Sequence, residues 1–237
     1  MEQNEFEIII VNDGSTDKTL EIINEYKYYH PNIKIISKEN EGLSQARNDG
    51  IKASIGEFIW FVDADDWIKT NCLSKLYAIS SAFNLDLLWF QLDKVNEDGI
   101  SIVSNENARS KNYHVMSGPE FLNKVMGFSV YAVLFLIKRD FLIKSKVLFI
   151  KGIYFEDVEF IPRLILEAKR IKYEPSVFYY YLLRKTSILH VSNPQKVDDL
   201  SKVILLLKTT AKKQEKIYQF DFLNILISKL VVGIVRL

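Results

Sequence analysis

Strand-like and helix-like segments alternate along the first ninety residues of this 237-residue chain. The predicted strands cover residues 6–11, 33–37, 57–62 and 86–91, and the helices between them cover residues 17–29, 43–54 and about 70–83. This alternation is typical of a doubly wound α/β fold, in which right-handed crossovers place helices on both faces of a mostly parallel sheet. Ligands bind at the carboxyl ends of the strands in such sheets, so the residues that follow each strand are the first candidates for a site.

Three carboxylates follow the third predicted strand within four positions. The strand, residues 57–62, is rich in aromatic and branched residues, as expected when both faces are buried, and it leads directly into Asp63, Asp65 and Asp66. Only Ala64 separates the first two acids, so one carboxylate can accept a ligand hydroxyl while the other binds a divalent cation. The alternative is that Asp66 caps the next helix and the others are solvated loop acids.

Polar residues also follow the two earlier strands. Asp13 lies in the turn that leaves the first strand, and Gly14 allows that turn to be tight. Arg47 lies in the helix predicted after the second strand. Because the fold brings strand ends to one rim, we expect Asp13, Arg47 and the carboxylates of residues 63–66 to converge there. Taken singly, Asp13 could be a turn residue and Arg47 a surface charge.

An acidic pair, Glu156 and Asp157, opens a helix that is predicted to run to about residue 168. A helix dipole stabilises carboxylates at this position, and that could be the whole role of the pair. A carboxylate here could instead take a proton from an attacking hydroxyl. Pro162 predicts a boundary or a kink in this helix. Elsewhere we predict a strand at residues 130–138, short strands at residues 170–174 and 177–183 in which Tyr179–Tyr181 serve packing, and a helical tail from Pro194.

The composition of the chain limits the classes of function and the compartments that we expect for it. The chain has 31 basic and 30 acidic residues, so no overall field indicates a nucleic-acid partner. Its single cysteine excludes an internal disulfide and fits a reducing compartment. The first residues are polar and acidic, unlike a signal peptide, and no apolar run reaches membrane-spanning length. We therefore expect a cytoplasmic protein, either free or peripheral at the inner face of the membrane.

Three segments resemble motifs of the family-two inverting glycosyltransferases with the A-type nucleotide-sugar fold. They are Phe-Glu-Ile-Ile-Ile-Val-Asn-Asp-Gly-Ser-Thr-Asp (6–17), Asn-Glu-Gly-Leu-Ser-Gln-Ala-Arg-Asn-Asp-Gly (40–50) and Phe-Val-Asp-Ala-Asp-Asp (61–66), and they occur in the family's order. The resemblance implies a Rossmann-like α/β fold with a helical C-terminal tail. It divides the chain into a nucleotide-sugar-binding half (1–115), an acceptor and catalytic-base half (116–190) and the helical tail (191–237).

The resemblance also implies roles on the donor side of a UDP-sugar. Asp13 would bind the uracil and Arg47 would assist near the base. Asp63 would contact the ribose, and Asp65, in the family's DXD position, would hold Mn²⁺ or Mg²⁺ across the diphosphate. Arg184 begins a short segment, residues 184–188, that resembles a loop approaching the diphosphate.

On the acceptor side, the resemblance makes Asp157 the catalytic base, with Glu156 as its neighbour. The acceptor would be a saccharide or a lipid-linked glycan, in the synthesis of a surface polysaccharide or glycolipid. Apolar residues at helical spacing in residues 222–235 predict an amphipathic helix, which would dock on its own domain or make a peripheral membrane contact.

The chain departs from the family pattern at its start. Family members usually open with an apolar strand ending in Pro-x-Tyr-Asn and a helix, before the strand that residues 6–11 match. In the family's usual order that strand lies between the strands that residues 6–11 and 57–62 match, so its loss would leave backbone hydrogen-bonding groups unpaired on both sides. Three explanations remain: the sequence is a fragment of a longer gene product, another segment or a partner chain fills the place, or the protein is a degenerate and weakly active relative.

Two other functions remain open. One is a non-catalytic glycosyltransferase-like module for binding or assembly, which would keep the fold and lose turnover. The other is a sugar nucleotidyltransferase. That class is expected to carry a glycine-rich, basic phosphate loop near its start, whereas residues 12–17 are acidic and contain one glycine.

Overall fold

The computed structural model describes residues 2, 5–103, 113–126, 130–184, 193–212, 224, 226–228 and 230. Within them the strands are β1 (Ile8–Asp13), β2 (Ile33–Lys38), β3 (Phe58–Trp60), β4 (Trp67–Ile68), β5 (Leu87–Val95), β6 (Ser101–Val103), β7 (Phe135–Lys138) and β8 (Ile171–Leu182). The helices are α1 (Thr19–Tyr29), α2 (Leu43–Ala53), α3 (Cys72–Ala82), α4 (Gly118–Lys124), α5 (Arg139–Ser145), α6 (Glu156–Glu167) and α7 (Pro194–Lys212).

The described strands form two sheets. β1 and β2 pair in parallel as a sheet of two, and the larger sheet has the order β3-β7-β5-β8-β4 with β6 paired to β5. The α/β class is confirmed. The larger sheet, however, is mixed, because only its β5–β8 pair is parallel. Helical crossovers, which impose parallel pairing, alternate with strands mainly in the first ninety residues, whereas β4, β6 and β7 follow loops or turns that permit antiparallel pairing.

Most predicted elements are present, with different ends. The strand predicted at residues 57–62 is limited to β3, and a 3-10 turn (Ala132–Leu134) takes the place of the middle of the strand predicted at residues 130–138. The two short strands predicted at 170–174 and 177–183 are one irregularly paired strand, β8. α6 also continues through Pro162, where we predicted a boundary or kink. Buried apolar residues on both sides of this proline hold the helix against the core despite the lost hydrogen bond.

The core surrounds β5. Leu87, Leu88, Trp89 and Phe90 are all buried, as a continuous apolar run requires when neighbours cover both faces of the strand. Helices α4 and α6 pack beside one another, and α7 packs against α6. The unit of β1, α1 and β2 differs, because α1 has no buried residue. The apolar core therefore supports the larger sheet far more than the smaller one.

A cleft of about 280 Å³ separates β1 from β3. Ile9 and Val11 line it from β1, and residues 58–64 line it from the other side. Glu7 joins the amino ends of the two walls, since its Oε1 accepts the N–H groups of Ile55 at 2.7 Å and Gly56 at 2.9 Å. In the part of the chain that the structure describes, no strand lies between β1 and β3.

The C-terminal region is helical where it is described. Leu200, Val203 and Leu207 of α7 are buried. Of the amphipathic helix predicted at residues 222–235, the described residues 224, 226–228 and 230 are helical, and Leu226 and Ile227 join the core. The remainder of that prediction lies outside the described residues. No helix among the described residues has the length and apolar character needed to cross a membrane.

Candidate active site

The loop after β3 presents its acids to different surroundings. Asp63 is half-buried, and the Asp65 side chain is 50% exposed. The N–H of Asp66 donates to the carbonyl oxygen of Asp63 at 3.1 Å, which closes the loop into a turn. The turn therefore leaves Asp65 exposed to solvent, whereas Asp63 and Asp66 are partly buried.

Asp66 anchors this loop to β8. Its Oδ2 accepts the hydroxyl of Tyr179 at 2.7 Å, and its Oδ1 accepts the N–H of Leu182 at 2.8 Å. The same Tyr179 hydroxyl accepts the N–H of Asp63 at 3.0 Å. The idea that Asp66 caps the following helix is wrong, because α3 begins only at Cys72 and Asp66 is occupied by β8. Burial raises the pKa of Tyr179, so its hydroxyl keeps the proton that it donates.

Tyr179 is a functional residue that the sequence analysis missed. The run of three tyrosines was predicted to serve packing, but the hydroxyl of the first one joins two residues of the acidic loop. The sequence contained a signal that could have indicated this contact. Tyrosine hydroxyls that are buried usually find a hydrogen-bond partner, and this one comes in a predicted strand whose carboxyl end should meet the acidic loop.

Arg47 is the centre of the site. Ser44, Arg47 and Ile51 are the buried residues of α2, and their spacing places them on one face of the helix. The Arg47 Nη1 donates to Glu156 Oε1 at 2.9 Å and to Asp157 Oδ1 at 2.7 Å, and its Nη2 donates to Asp63 Oδ1 at 2.9 Å.

The guanidinium also lies over a ring, 5.3 Å from the centroid of Phe149. The alternative that Arg47 is a surface charge is therefore wrong, since its side chain is only 7% exposed. Burial by itself would lower the pKa of Arg47, but the facing carboxylates of Asp157, Asp63 and Glu156 raise it above its ordinary value. One permanent positive charge thus faces three carboxylates.

Asp157 is held on both oxygens. Its Oδ1 accepts from Arg47, and its Oδ2 accepts the N–H of Ala132 at 2.9 Å. Burial raises the pKa of Asp157 to about 7, although Arg47 opposes the shift, and the negative charges of Glu156 and Asp63 add to it. A carboxyl group whose pKa lies near neutrality can take up and release a proton at physiological pH.

A left-handed residue begins the helix that carries this acid. Phe155 has φ of 61° and precedes the first turn of α6, which contains Glu156 and Asp157. A left-handed backbone conformation costs a non-glycine residue about 1–2 kcal/mol, so contacts with the surrounding residues must hold Phe155 in it. The helix dipole favours negative charge at this end and partly offsets the burial of the two acids.

Two further predicted site residues lie close to one another. Asp65 Oδ2 is 4.0 Å from Arg184 Nε, and both side chains are about half exposed. The structure therefore brings together the residue predicted to hold a cation and the one predicted to approach the diphosphate. The rest of the predicted 184–188 loop lies outside the described residues.

Asp13 binds backbone groups just before α2. Its Oδ1 accepts the N–H of Glu41 at 2.9 Å, and its Oδ2 accepts the N–H of Gly42 at 2.7 Å. These bonds fix the start of α2, the helix that carries Arg47. Among the described contacts, Asp13 is tied to this backbone and not to the Arg47 cluster, which agrees with the turn role that the sequence left open for it.

The carboxylates of the β3 loop fit one kind of metal site. Among the described residues there is no group of three or more His, Cys, Asp or Glu side chains placed to hold a metal ion. Mg²⁺, however, is usually bound by one or two carboxylates together with substrate phosphates. The half-exposed Asp65, with Asp63 two positions away, provides such a set. The arrangement fits a cation that arrives with a diphosphate.

Comparison with known proteins identifies one family. The family described as "Glycosyl transferase family 2" matches residues 1–143. The chain is 31% identical over 188 residues to "Uncharacterized glycosyltransferase YibD" of Escherichia coli strain K12, covering 77% of this chain and 54% of YibD. It is 30% identical over 190 residues to "Poly(ribitol-phosphate) beta-glucosyltransferase" of Bacillus spizizenii, covering 78% of this chain and 28% of that protein.

A solved structure shows the same fold. Residues 1–349 of S. aureus TarS, crystallised with UDP-GlcNAc, match with a TM-score of 0.75 at 22% identity, covering 96% of this chain and 64% of that chain. At this level of identity the likeness shows the fold alone. The chain spans only about half the length of the first curated relative that it matches.

Proposed function

Because the chain belongs to glycosyl transferase family 2, we propose that it transfers a sugar from a UDP-sugar to a hydroxyl group, with inversion at the anomeric carbon. The acceptor is a saccharide or lipid-linked glycan, in the synthesis of a surface polysaccharide or glycolipid on the cytoplasmic side of the membrane. A single observation carries the proposal. One buried guanidinium joins Asp63, on the predicted donor side, to Asp157, the predicted base.

Asp157 performs the proton transfer in this mechanism. Its carboxylate takes the proton of the acceptor hydroxyl while the acceptor oxygen forms a bond to the anomeric carbon. The bond between that carbon and the diphosphate oxygen breaks, and UDP departs with the electron pair. Inversion in a single displacement requires the base to lie on the face opposite the leaving group. The raised pKa of Asp157 makes it a stronger proton acceptor than an ordinary carboxylate.

The donor is held by the loop after β3 and its neighbours. Asp63 accepts from the ribose, Asp13 from the uracil, and Arg184 neutralises a phosphate, since a guanidinium can bind phosphate through two parallel hydrogen bonds. Asp65 would hold Mn²⁺ or Mg²⁺, and the cation would supply positive charge to offset the charge that develops on the departing diphosphate. The UDP-GlcNAc bound by TarS, whose fold is similar, supports a UDP-linked donor.

Binding and turnover measurements test the proposal. The chain should bind UDP more tightly with Mn²⁺ than without it in calorimetry, and Asp65→Ala should remove that difference. Asp98→Ala, which removes an exposed acid elsewhere, is the matched control. Equal affinity with and without metal, unchanged by Asp65→Ala, would contradict the metal role. Nuclear magnetic resonance of the product then reports whether the anomeric configuration is inverted.

The second candidate is a non-catalytic module for binding or assembly. The engagement of both Asp157 oxygens, by Arg47 and by the N–H of Ala132, favours it, because an acid held in this way can join two segments without accepting a proton. Such a module would bind UDP and metal without turning over any member of a broad acceptor panel. The family match argues against the third candidate, a sugar nucleotidyltransferase.

A further inference from the structure

A buried acid on α7 contacts the turn that precedes α6. Asp199 is 0% exposed. Its Oδ1 accepts from Gln195 Nε2 and from Lys202 Nζ, both at 2.8 Å, and its Oδ2 accepts the N–H of Tyr154 at 3.1 Å. Two residues of its own helix thus fix one oxygen of Asp199 and direct the other to the backbone of Tyr154.

The rest of Tyr154 is held by the same region. Its hydroxyl accepts from Asn193 Nδ2 at 3.3 Å, and the ammonium group of Lys196 lies 5.9 Å from the centroid of its ring. Lys196 is itself buried. The backbone, ring and hydroxyl of Tyr154 therefore all contact residues 193–199, although Tyr154 belongs to the segment that leads into the active site.

The segment needs such support because Phe155, which is not a glycine, has a left-handed backbone conformation. Gly152 has φ of 74° and Phe155 has φ of 61°, and Tyr154 lies between them, three positions before Asp157. A non-glycine residue persists in this conformation only when its surroundings hold it. The bond from Tyr154 to Asp199 is one such contact, and Tyr154 immediately precedes Phe155, the residue before α6.

We propose that Asp199 is a positioning residue for the active site, which acts by holding Tyr154 so that α6 begins with Asp157 facing Arg47. The proposal rests on the proposed function, because it takes Asp157 as the base. Asp199 touches no reacting group. A carboxylate suits the role because Asp199 receives only donors: the Gln195 amide, the Lys202 ammonium and the Tyr154 N–H. Burial opposes its charge, but these hydrogen bonds lower the pKa of Asp199 overall.

The test compares Asp199→Asn with Asp198→Asn. Both changes remove one negative charge from the same helix, but Asp198 is exposed. An asparagine at position 199 has one accepting oxygen, so it cannot accept from Tyr154 on one side and from Gln195 and Lys202 on the other at the same time, and the hold on Tyr154 should weaken. Hydrogen exchange of a peptide covering residues 150–158 should accelerate about tenfold in Asp199→Asn and stay unchanged in Asp198→Asn.

The kinetic result should separate positioning from simple stabilisation. With a positioning role, kcat of Asp199→Asn falls about 10- to 100-fold while the donor KM stays within about twofold, because a displaced base lowers the rate without weakening donor binding. The acid limb of the kcat profile should also move to lower pH, since Asp157 would become better hydrated. A purely structural role would lower the melting temperature and leave kcat of the folded protein and its pH profile unchanged.

A milder variant keeps the test decisive if Asp199→Asn fails to fold. Gln195→Ala removes one bond that orients Asp199 and changes an exposed residue. It should accelerate exchange in residues 150–158 and lower kcat about two- to fivefold. Unchanged exchange in this peptide, in whichever variant folds, would overturn the proposal. If the parent chain shows no turnover, the proposed function fails, and hydrogen exchange still decides whether Asp199 holds the turn.

Discussion

Two acidic segments of this protein, the loop after β3 and the first turn of α6, carry the same kind of side chain in different environments. Asp65 is 50% exposed and close to the half-exposed Arg184. Asp157 is 16% exposed, and both of its oxygens accept hydrogen bonds from buried groups. The loop thus leaves the Asp65 carboxylate hydrated, whereas the first turn of α6 buries the Asp157 carboxylate against the Arg47 guanidinium.

This difference separates two chemical roles within one residue type. A hydrated carboxylate at the surface can exchange water for a cation and phosphate oxygens. A buried carboxyl group beside further negative charge has a raised pKa and can act as a base near neutral pH. Arg47 joins the two segments, since it contacts Asp63 in one and Asp157 in the other. Variants that disturb one segment alone test whether the roles are separate.

The largest expected effect is on turnover after replacement of the buried acid. Asp157→Asn should lower kcat about 10²- to 10⁴-fold, because the side chain can no longer accept the acceptor's proton. UDP affinity measured by calorimetry should change little, because the donor contacts lie in the other segment. Glu156→Gln is the matched variant, and we expect a smaller loss from it. Near-normal kcat in Asp157→Asn would exclude Asp157 as the base.

Replacement of Arg47, which contacts both acidic segments, should have the largest effect on stability. Arg47→Gln leaves three carboxylates around an uncharged side chain, and breaking a buried ion pair in this way costs about 3–5 kcal/mol of unfolding free energy. Urea denaturation at about pH 8 measures this cost. Arg184→Gln is the control, since an exposed ion pair contributes about 0–1 kcal/mol. A cost for Arg47→Gln as small as that of the control would mean that Arg47 does not hold the segments together.

A smaller effect is expected in the exposed segment. Tyr179→Phe removes the hydroxyl that bonds to Asp66 and to the N–H of Asp63, which should cost about 1–3 kcal/mol of unfolding free energy and weaken UDP binding. Tyr180→Phe provides the neighbouring control. If UDP affinity were equal in the two variants, the orientation of the β3 loop would not depend on Tyr179.

The smallest expected effect is a pH dependence of stability. The pKa of Asp157 is about 7 in the folded protein and about 3.9 in an unfolded chain, so the folded state binds the extra proton between these values. This contribution to stability is fully present below about pH 4 and is lost as the pH rises through about 7. Asp157→Asn lacks this loss, so its unfolding free energy relative to the parent should increase by about 1 kcal/mol from about pH 6 to pH 7. A constant difference would show that burial does not raise this pKa.

The sequence by itself determined the class of fold and most of the candidate residues. Strand and helix periodicities are local, so the alternation along the first ninety residues was visible without a structure. The placement of Asp63, Asp65, Glu156 and Asp157 at element ends followed from the same pattern. The family resemblance placed a usual strand between the segments that form β1 and β3, and the structure has a cleft there.

Only the tertiary structure decided which of these residues meet. Arg47 contacts carboxylates 16, 109 and 110 positions away, and Tyr179 reaches Asp66 across 113 positions. The hydrogen bond between Tyr154 and Asp199 likewise joins α7 to the turn that precedes α6. Periodicity predicts which face of an element is buried, but the partner on the opposite side depends on how distant elements pack. The mixed pairing of the larger sheet depends on the same long-range packing, which local patterns do not contain.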